Sequence, residues 1–273
     1  MTNPAHRTSS LVRKRSGIGE PLLLLHGVGE SAAGWRPTQD ALSKSFDVIV
    51  IDLPGFGDSP ALPSGVVPTA AALADAIERQ LDELGLPTVH IAGYSLGARV
   101  SLELASRGRA RSVVAIAPDG LGTPAERVYE TVALLARRLL ATVLAPVAQE
   151  VTSTGAGRAS FFGSDRSRPW LLTPVDAQDL LLSFATSPAY VQTVLTGMHD
   201  AVRGVSKISC PVLIVQGLTD PLLASQSPRY LALVPQAQLQ ILPNLSHVPI
   251  SDDPALIARL ITDFAAAEQP LAA

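Results

Sequence analysis

The stretch Val89-His90-Ile91-Ala92-Gly93-Tyr94-Ser95-Leu96-Gly97-Ala98 decides how this chain is to be read. A short apolar run predicts a strand over Val89–Ala92, and the residues Ala98–Arg107 predict a helix. Between them stands Ser95, with Gly93 two residues before it and Gly97 two after. A serine pushed out on a sharp strand-to-helix turn sits in strained backbone, and only small residues at those two places avoid a clash. The five-residue pattern alone is weak, and its place between strand and helix gives it weight. A helix starting just beyond Ser95 would aim its positive end and free N–H groups at negative charge developing there.

Working outward, short apolar runs ending in turn residues recur at Leu22–Leu25, Val48–Ile51, Val113–Ala117, Val212–Val215 and Leu239–Leu242. Most are apolar throughout instead of alternating, as in strands covered on both faces. Ala70–Leu84 carries Leu73, Ile77, Leu81 and Leu84 at helical spacing and closes on Gly85 and Pro87. Alternating strands and helices predict an α/β fold with a mostly parallel central sheet flanked by helices. The rhythm breaks between Leu121 and Val205, where Glu126–Val147, Val175–Phe184 and Tyr190–Val202 read as helices. We therefore expect a core in two parts, 1–120 and 206–273, interrupted by a helical cap over 121–205. Thr152–Arg168, rich in Ser, Gly and Arg, reads as a mobile loop within that cap.

The 273 residues suit one large domain with an insertion. An apolar content of 47% against 16% charged residues excludes general disorder. Lys and Arg number 21 against 24 Asp and Glu, a net charge of −3, which provides no basic field for nucleic acid. The single cysteine, Cys210, reads as a small buried filler and rules out an intramolecular disulfide. Residues 1–20 carry basic side chains without the apolar stretch of a signal peptide, and Leu22–Leu25 is too short to span a membrane. The expectation is a cytoplasmic protein, monomeric or a small homo-oligomer, with Arg13-Lys14-Arg15 on a solvated arm.

A serine nucleophile needs a base and an acid to orient it. Of five histidines, His6 falls in the arm, His90 inside a strand and His199 in the cap, while His26 would hold the loop it opens. His247, in the polar loop after the last strand, remains as the base, because parallel sheets place their chemistry at the carboxyl ends of their strands. Two carboxylates follow strands, Asp119 and Asp220. Strand-end position does not separate them, and the chain order Ser, Asp, His favours Asp220. For a developing oxyanion, the N–H of Leu96 and that of Val28, in His26-Gly27-Val28-Gly29, are the candidate donors.

Together with Asp52-Leu53-Pro54-Gly55-Phe56-Gly57-Asp58-Ser59 and His247-Val248-Pro249, these motifs resemble the α/β-hydrolase family, in particular its small esterase-like members with a helical cap. The likeness extends over nearly all of the chain after the arm. It implies Ser95 as nucleophile, Asp220 as acid, His247 as base, Val28 and Leu96 as oxyanion donors, and a mechanism without cofactor or metal. The family often has glycine before the base, where this chain has Ser246. Relatives that dehalogenate or open epoxides use an aspartate nucleophile, against which the serine at 95 counts. Asp52 and Asp58 are read as shaping their turn.

The expected reaction is hydrolysis of a carboxylic ester of a small or medium, largely apolar substrate through an acyl-enzyme. The rivals are another serine-triad reaction on the same scaffold (C–C bond hydrolysis, lactone opening or a non-hydrolytic biosynthetic step) and a ligand-binding protein with little turnover. Trp35, Tyr129, Phe161, Phe162 and Trp170 are candidate pocket walls, with Phe184, Tyr190 and Met198 as further cap aromatics and thioether. Arg166 and Arg168 read as solvated loop residues.

Overall fold

The computed structural model describes residues 10–267, so His6 and the first part of the basic arm lie outside the described residues. Seven strands form one sheet: β1 (Arg13–Ser16), β2 (Glu20–Leu25), β3 (Phe46–Ile51), β4 (Val89–Tyr94), β5 (Ala110–Ile116), β6 (Val212–Gly217) and β7 (Gln238–Leu242). Their order across the sheet is β1-β3-β2-β4-β5-β6-β7. All neighbours are parallel except β1, which runs antiparallel to β3 with Arg13 opposite Ile51.

The six predicted strands are all present. Their uninterrupted apolar character follows from side chains that alternate between two covered faces. Leu23, Leu25, Ile49 and Ile91 pack on one face, against α2 (Ala70–Glu83) and α3 (Leu96–Ser106). Leu22, Leu24, Val48 and Val50 pack on the other, with the apolar residues of α1 (Arg36–Leu42) and α10 (Pro254–Ala267). Thr69 caps α2 by accepting from Ala72 N at 3.1 Å.

The basic triplet is not a free arm. Arg13, Lys14 and Arg15 lie in the edge strand β1, and Arg15 bridges Asp47 on β3. An edge strand pairs on one side only, so it needs no apolar run, and charge on it guards against pairing with other chains.

Between β5 and β6 lie five helices: α4 (Pro124–Leu144), α5 (Ala148–Ser153), α6 (Gly155–Phe162), α7 (Pro174–Thr186) and α8 (Tyr190–Gly197). A reciprocal Thr123–Glu126 capping box starts α4. Arg36 on α1 bonds Asp176 at 2.8 Å and Asp179 at 2.7 Å, fastening α7 to the core. The expected loop over 152–168 is largely helical instead. Thr154 ends α5 and caps α6 through Gly157 N, and Phe161 and Phe162 bury into the cap. Arg166 is correspondingly buried, not solvated. Helix α9 (Ser227–Leu233) lies between β6 and β7.

Candidate active site

Ser95 stands between β4 and α3 with φ 55° and ψ −124°, a conformation that an L-residue adopts only under strain. The turn is possible because of what surrounds it. A Cβ on Gly93 would strike Gly97 O, and one on Gly97 would strike Leu25 O. Ser95 N donates to Ile116 O at 2.9 Å, tying the turn to β5.

Loops after β6 and β7 bring two further side chains to the same rim. His247 Nδ1 lies 2.9 Å from Asp220 Oδ2, and both side chains are buried. Asp220 Oδ1 accepts from the backbone N–H groups of Leu222 and Leu223, while Gln216 Nε2 donates to Oδ2. Against burial, which opposes charge, the imidazole and these donors hold the Asp220 carboxyl down at about 2. Burial by itself would depress His247, yet the Asp220 charge and hydrogen bond prevail and raise it. With Asp220 ionised, Nδ1 carries the ring proton and Nε2 is left free to accept one. Ser246, at the place where glycine is frequent, uses its Oγ to bond Thr219 O at 3.3 Å and so links the two loops.

Ser95 and His247 line one cavity beneath the cap. Among the described residues no hydrogen bond joins Ser95 Oγ to the His247 ring. Such bonds tighten when substrate binds. Asp119, the alternative acid, is also on the cavity wall but is hydrogen-bonded to neither group; burial pushes its carboxyl up despite Arg99 nearby.

The loop after β2 supplies Gly27 and Val28 to the same cavity. His26 fixes it: Leu53 N donates to Nε2 at 2.9 Å, so Nδ1 carries the proton and donates to Gly27 O at 2.8 Å. Burial keeps this ring neutral by lowering its pKa. Leu96 N–H is among the free first-turn donors of α3, next to Ser95. Asp52 accepts from Ala32 N and Asp58 N, holding two turns together.

The five aromatic pocket candidates do not line the cavity. Trp35 is buried on the opposite face of the sheet, edge-on to Tyr94 at 5.4 Å. Tyr129 and Trp170 are exposed to solvent. Phe161 and Phe162 pack edge-to-face at 4.7 Å inside the cap. Only Phe184 of the cap aromatics faces the cavity. The sequence reading missed the polar wall formed by Glu30, Glu130, Arg137 and Asp165. Its signal was present in α4, where Arg127, Glu130 and Arg137 recur at helical spacing. Arg137 bridges Asp165 at 2.7 Å, with its guanidinium 4.4 Å from the Phe184 ring centre. No group of His, Cys, Asp and Glu among the described residues is arranged to hold a metal ion.

Fold and sequence together define a hydrolase scaffold. Residues 22–260 match the model of the alpha/beta hydrolase family, and the chain belongs to that family. It is 35% identical over 209 residues to the epoxide hydrolase EphH of Mycobacterium tuberculosis, covering 72% of this chain and 94% of that one. It is 30% identical over 209 residues to an (E)-2-((N-methylformamido)methylene)succinate hydrolase of Acinetobacter baylyi, covering 75% and 74%. In fold it is similar to a thermophilic esterase of Thermogutta terrifontis, with a TM-score of 0.71, 23% identity and coverage of 95% and 94%.

Proposed function

We propose that the protein hydrolyses a carboxylic ester through an acyl-enzyme on Ser95. The observation that carries this reading is the strained Ser95 turn sharing one cavity wall with a His247 imidazole whose other nitrogen is held by Asp220. In this reading Ser95 Oγ attacks the carbonyl while His247 Nε2 takes its proton. The N–H groups of Val28 and Leu96 receive the developing oxyanion. His247 then protonates the departing alkoxide, and a water activated by the same ring clears the acyl group, with Asp220 holding the ring throughout.

Epoxide opening, the activity in the name of the M. tuberculosis relative, fits a serine poorly on chemical grounds. A carboxylate nucleophile opening an epoxide leaves an ester, which water can cleave. A serine hydroxyl would leave an ether, and the enzyme would remain alkylated. The remaining wall is mixed, with Leu134, Phe184 and Val194 beside Glu130 and Arg137. This favours a substrate with both apolar and polar parts over the largely apolar one read from sequence.

A fluorophosphonate probe and p-nitrophenyl esters of increasing acyl length test the reading. Labelling at Ser95 with ester turnover, both lost in Ser95→Ala, is expected. Labelling without turnover of any ester overturns ester cleavage in favour of another serine-dependent reaction. Absence of both overturns Ser95 as nucleophile.

A further inference from the structure

α4 is turned inside out. Charged side chains of α4 face protein: Glu130 and Arg137 line the cavity, Arg127 donates to the Gly122, Gly120 and Met198 carbonyls, and Arg138 donates to Phe184 O. Its outward side is apolar. Ala125, Tyr129, Val132, Ala136, Leu139 and Val143 follow one another at intervals of four, three, four, three and four residues, and every one is exposed. Val132 is 61%, Leu139 67% and Val143 62% exposed, with Val128 and Leu140 open beside them.

A surface helix normally shows the reverse arrangement. An apolar stripe with alternating four- and three-residue spacing, kept over about two and a half heptads, is the kind of seam along which two helices pack. The exposed large apolar side chains from Val128 to Val147 present on the order of 700 Å², close to the roughly 800 Å² per partner of a standard interface. It is also larger than the isolated apolar patches of ordinary monomers.

We propose that this seam is an interface between two copies of the chain, in which α4 pairs antiparallel with its symmetry mate about a two-fold axis at Ala136. The seam is self-complementary about that point. The small Ala136 lets the helices approach at the axis, Val132 meets Leu139 and Leu140, and Tyr129 meets Val143. Chemistry selects a second copy over a lipid surface. The run Pro124–Ser153 is long and apolar enough to cross a bilayer, its most apolar 18-residue window having a mean hydropathy of 1.6. However, Arg127, Arg137 and Arg138 of α4 are engaged with protein, so no ring of outward Lys or Arg flanks the seam to meet headgroups.

The test is molar mass in solution, across a dilution series, for the full chain and for Val132→Glu/Leu139→Glu. The expected result is a species of twice the 28.5 kDa chain mass that falls two-fold in the variant, with fluorophosphonate labelling of Ser95 unchanged. Ala136→Cys in a Cys210→Ser background should then form an intermolecular disulfide on oxidation, while Val143→Cys alone should not. A wild-type monomer at every concentration overturns the proposal. So does a dimer that survives both glutamates, or cross-linking at Val143→Cys but not at Ala136→Cys. A monomer that sediments with phosphatidylcholine vesicles would assign the seam to lipid instead, and equally overturns it.

Discussion

Arg166 Nη2 lies 2.7 Å from Glu30 Oε1, and the two side chains, one following the cap helix α6 and the other following β2, are 1% and 2% exposed. Glu30 uses its second oxygen to accept from Tyr94 OH at 2.6 Å, and Tyr94 is the residue before Ser95. Arg166 also bonds Asp165, whose carbonyl accepts from Val248 N beside His247. A buried ionic chain therefore joins the cap to the turn carrying Ser95 and to the loop carrying His247.

Removing Glu30 should leave the buried Arg166 with only one carboxylate, Asp165, which it already shares with Arg137. Glu30→Ala is expected to cost about 3 to 5 kcal/mol of stability, as single truncations of buried pairs do. Tyr94→Phe removes one charge-assisted hydrogen bond and should cost about 1.5 to 3 kcal/mol. Denaturant unfolding checks both, and a Glu30→Ala midpoint equal to wild type would show that Arg166 finds another partner or water.

In the proposed reaction the raised pKa of His247 sets the acidic limb of activity. The imidazolium cannot take the Ser95 proton, so kcat/KM for an ester should fall as pH drops through a value above the ordinary imidazole pKa of about 6.5. Asp220→Asn removes the charge that holds the value up and leaves burial, which opposes it. The limb should move downward and the plateau should fall about 10³- to 10⁴-fold. The rate of fluorophosphonate labelling against pH measures both, and an unshifted limb would mean that Asp220 does not govern the ring.

The strands and the Ser95 turn were legible because the signals are local. A strand covered on both faces must be apolar along its length, and a strained serine turn must have glycines two residues away. β1 was hidden because an edge strand pairing on one side can read Arg-Lys-Arg-Ser. Asp119 and Asp220 were inseparable by position, since both follow strands; only the folded loops show Asp220 bonded to His247. The aromatic candidates failed for a different reason. Phe161 and Phe162 pack against the Arg137 guanidinium inside the cap, so their area satisfies the cap and not the cavity. Which face of α4 turns inward depends on α7 and α8 packing against it, which helical periodicity alone does not specify.

Strain at Ser95, the proposed nucleophile, should be measurable as a trade between activity and stability. Holding a non-glycine residue at φ 55°, ψ −124° costs about 1 to 3 kcal/mol. Ser95→Gly relieves it and returns part of the gain to the greater freedom of the unfolded chain. A net rise of about 1 kcal/mol is expected, with loss of turnover. Ser95→Ala keeps the Cβ and the strain, so it should lose turnover without gaining stability. Equal melting temperatures for the two variants would remove strain as the explanation.

Glu130, on the inward side of α4, should make the protein less stable as pH rises. Burial first, then the neighbouring Asp119 and Glu126 charges, push its carboxyl up to about 8. Its ordinary value is 4.5. Between those two values the folded chain keeps a proton that the unfolded chain has released, so the folded state is progressively disfavoured with increasing pH. The contribution is fully present below about 4.5 and lost as pH passes through about 8. Glu130→Gln keeps an oxygen to accept from Gln226, as Glu130 does now, without an ionisable proton. Its unfolding midpoint relative to wild type should therefore climb from pH 5 to pH 8. Two curves that run parallel across that interval would show that Glu130 is already ionised in the folded protein.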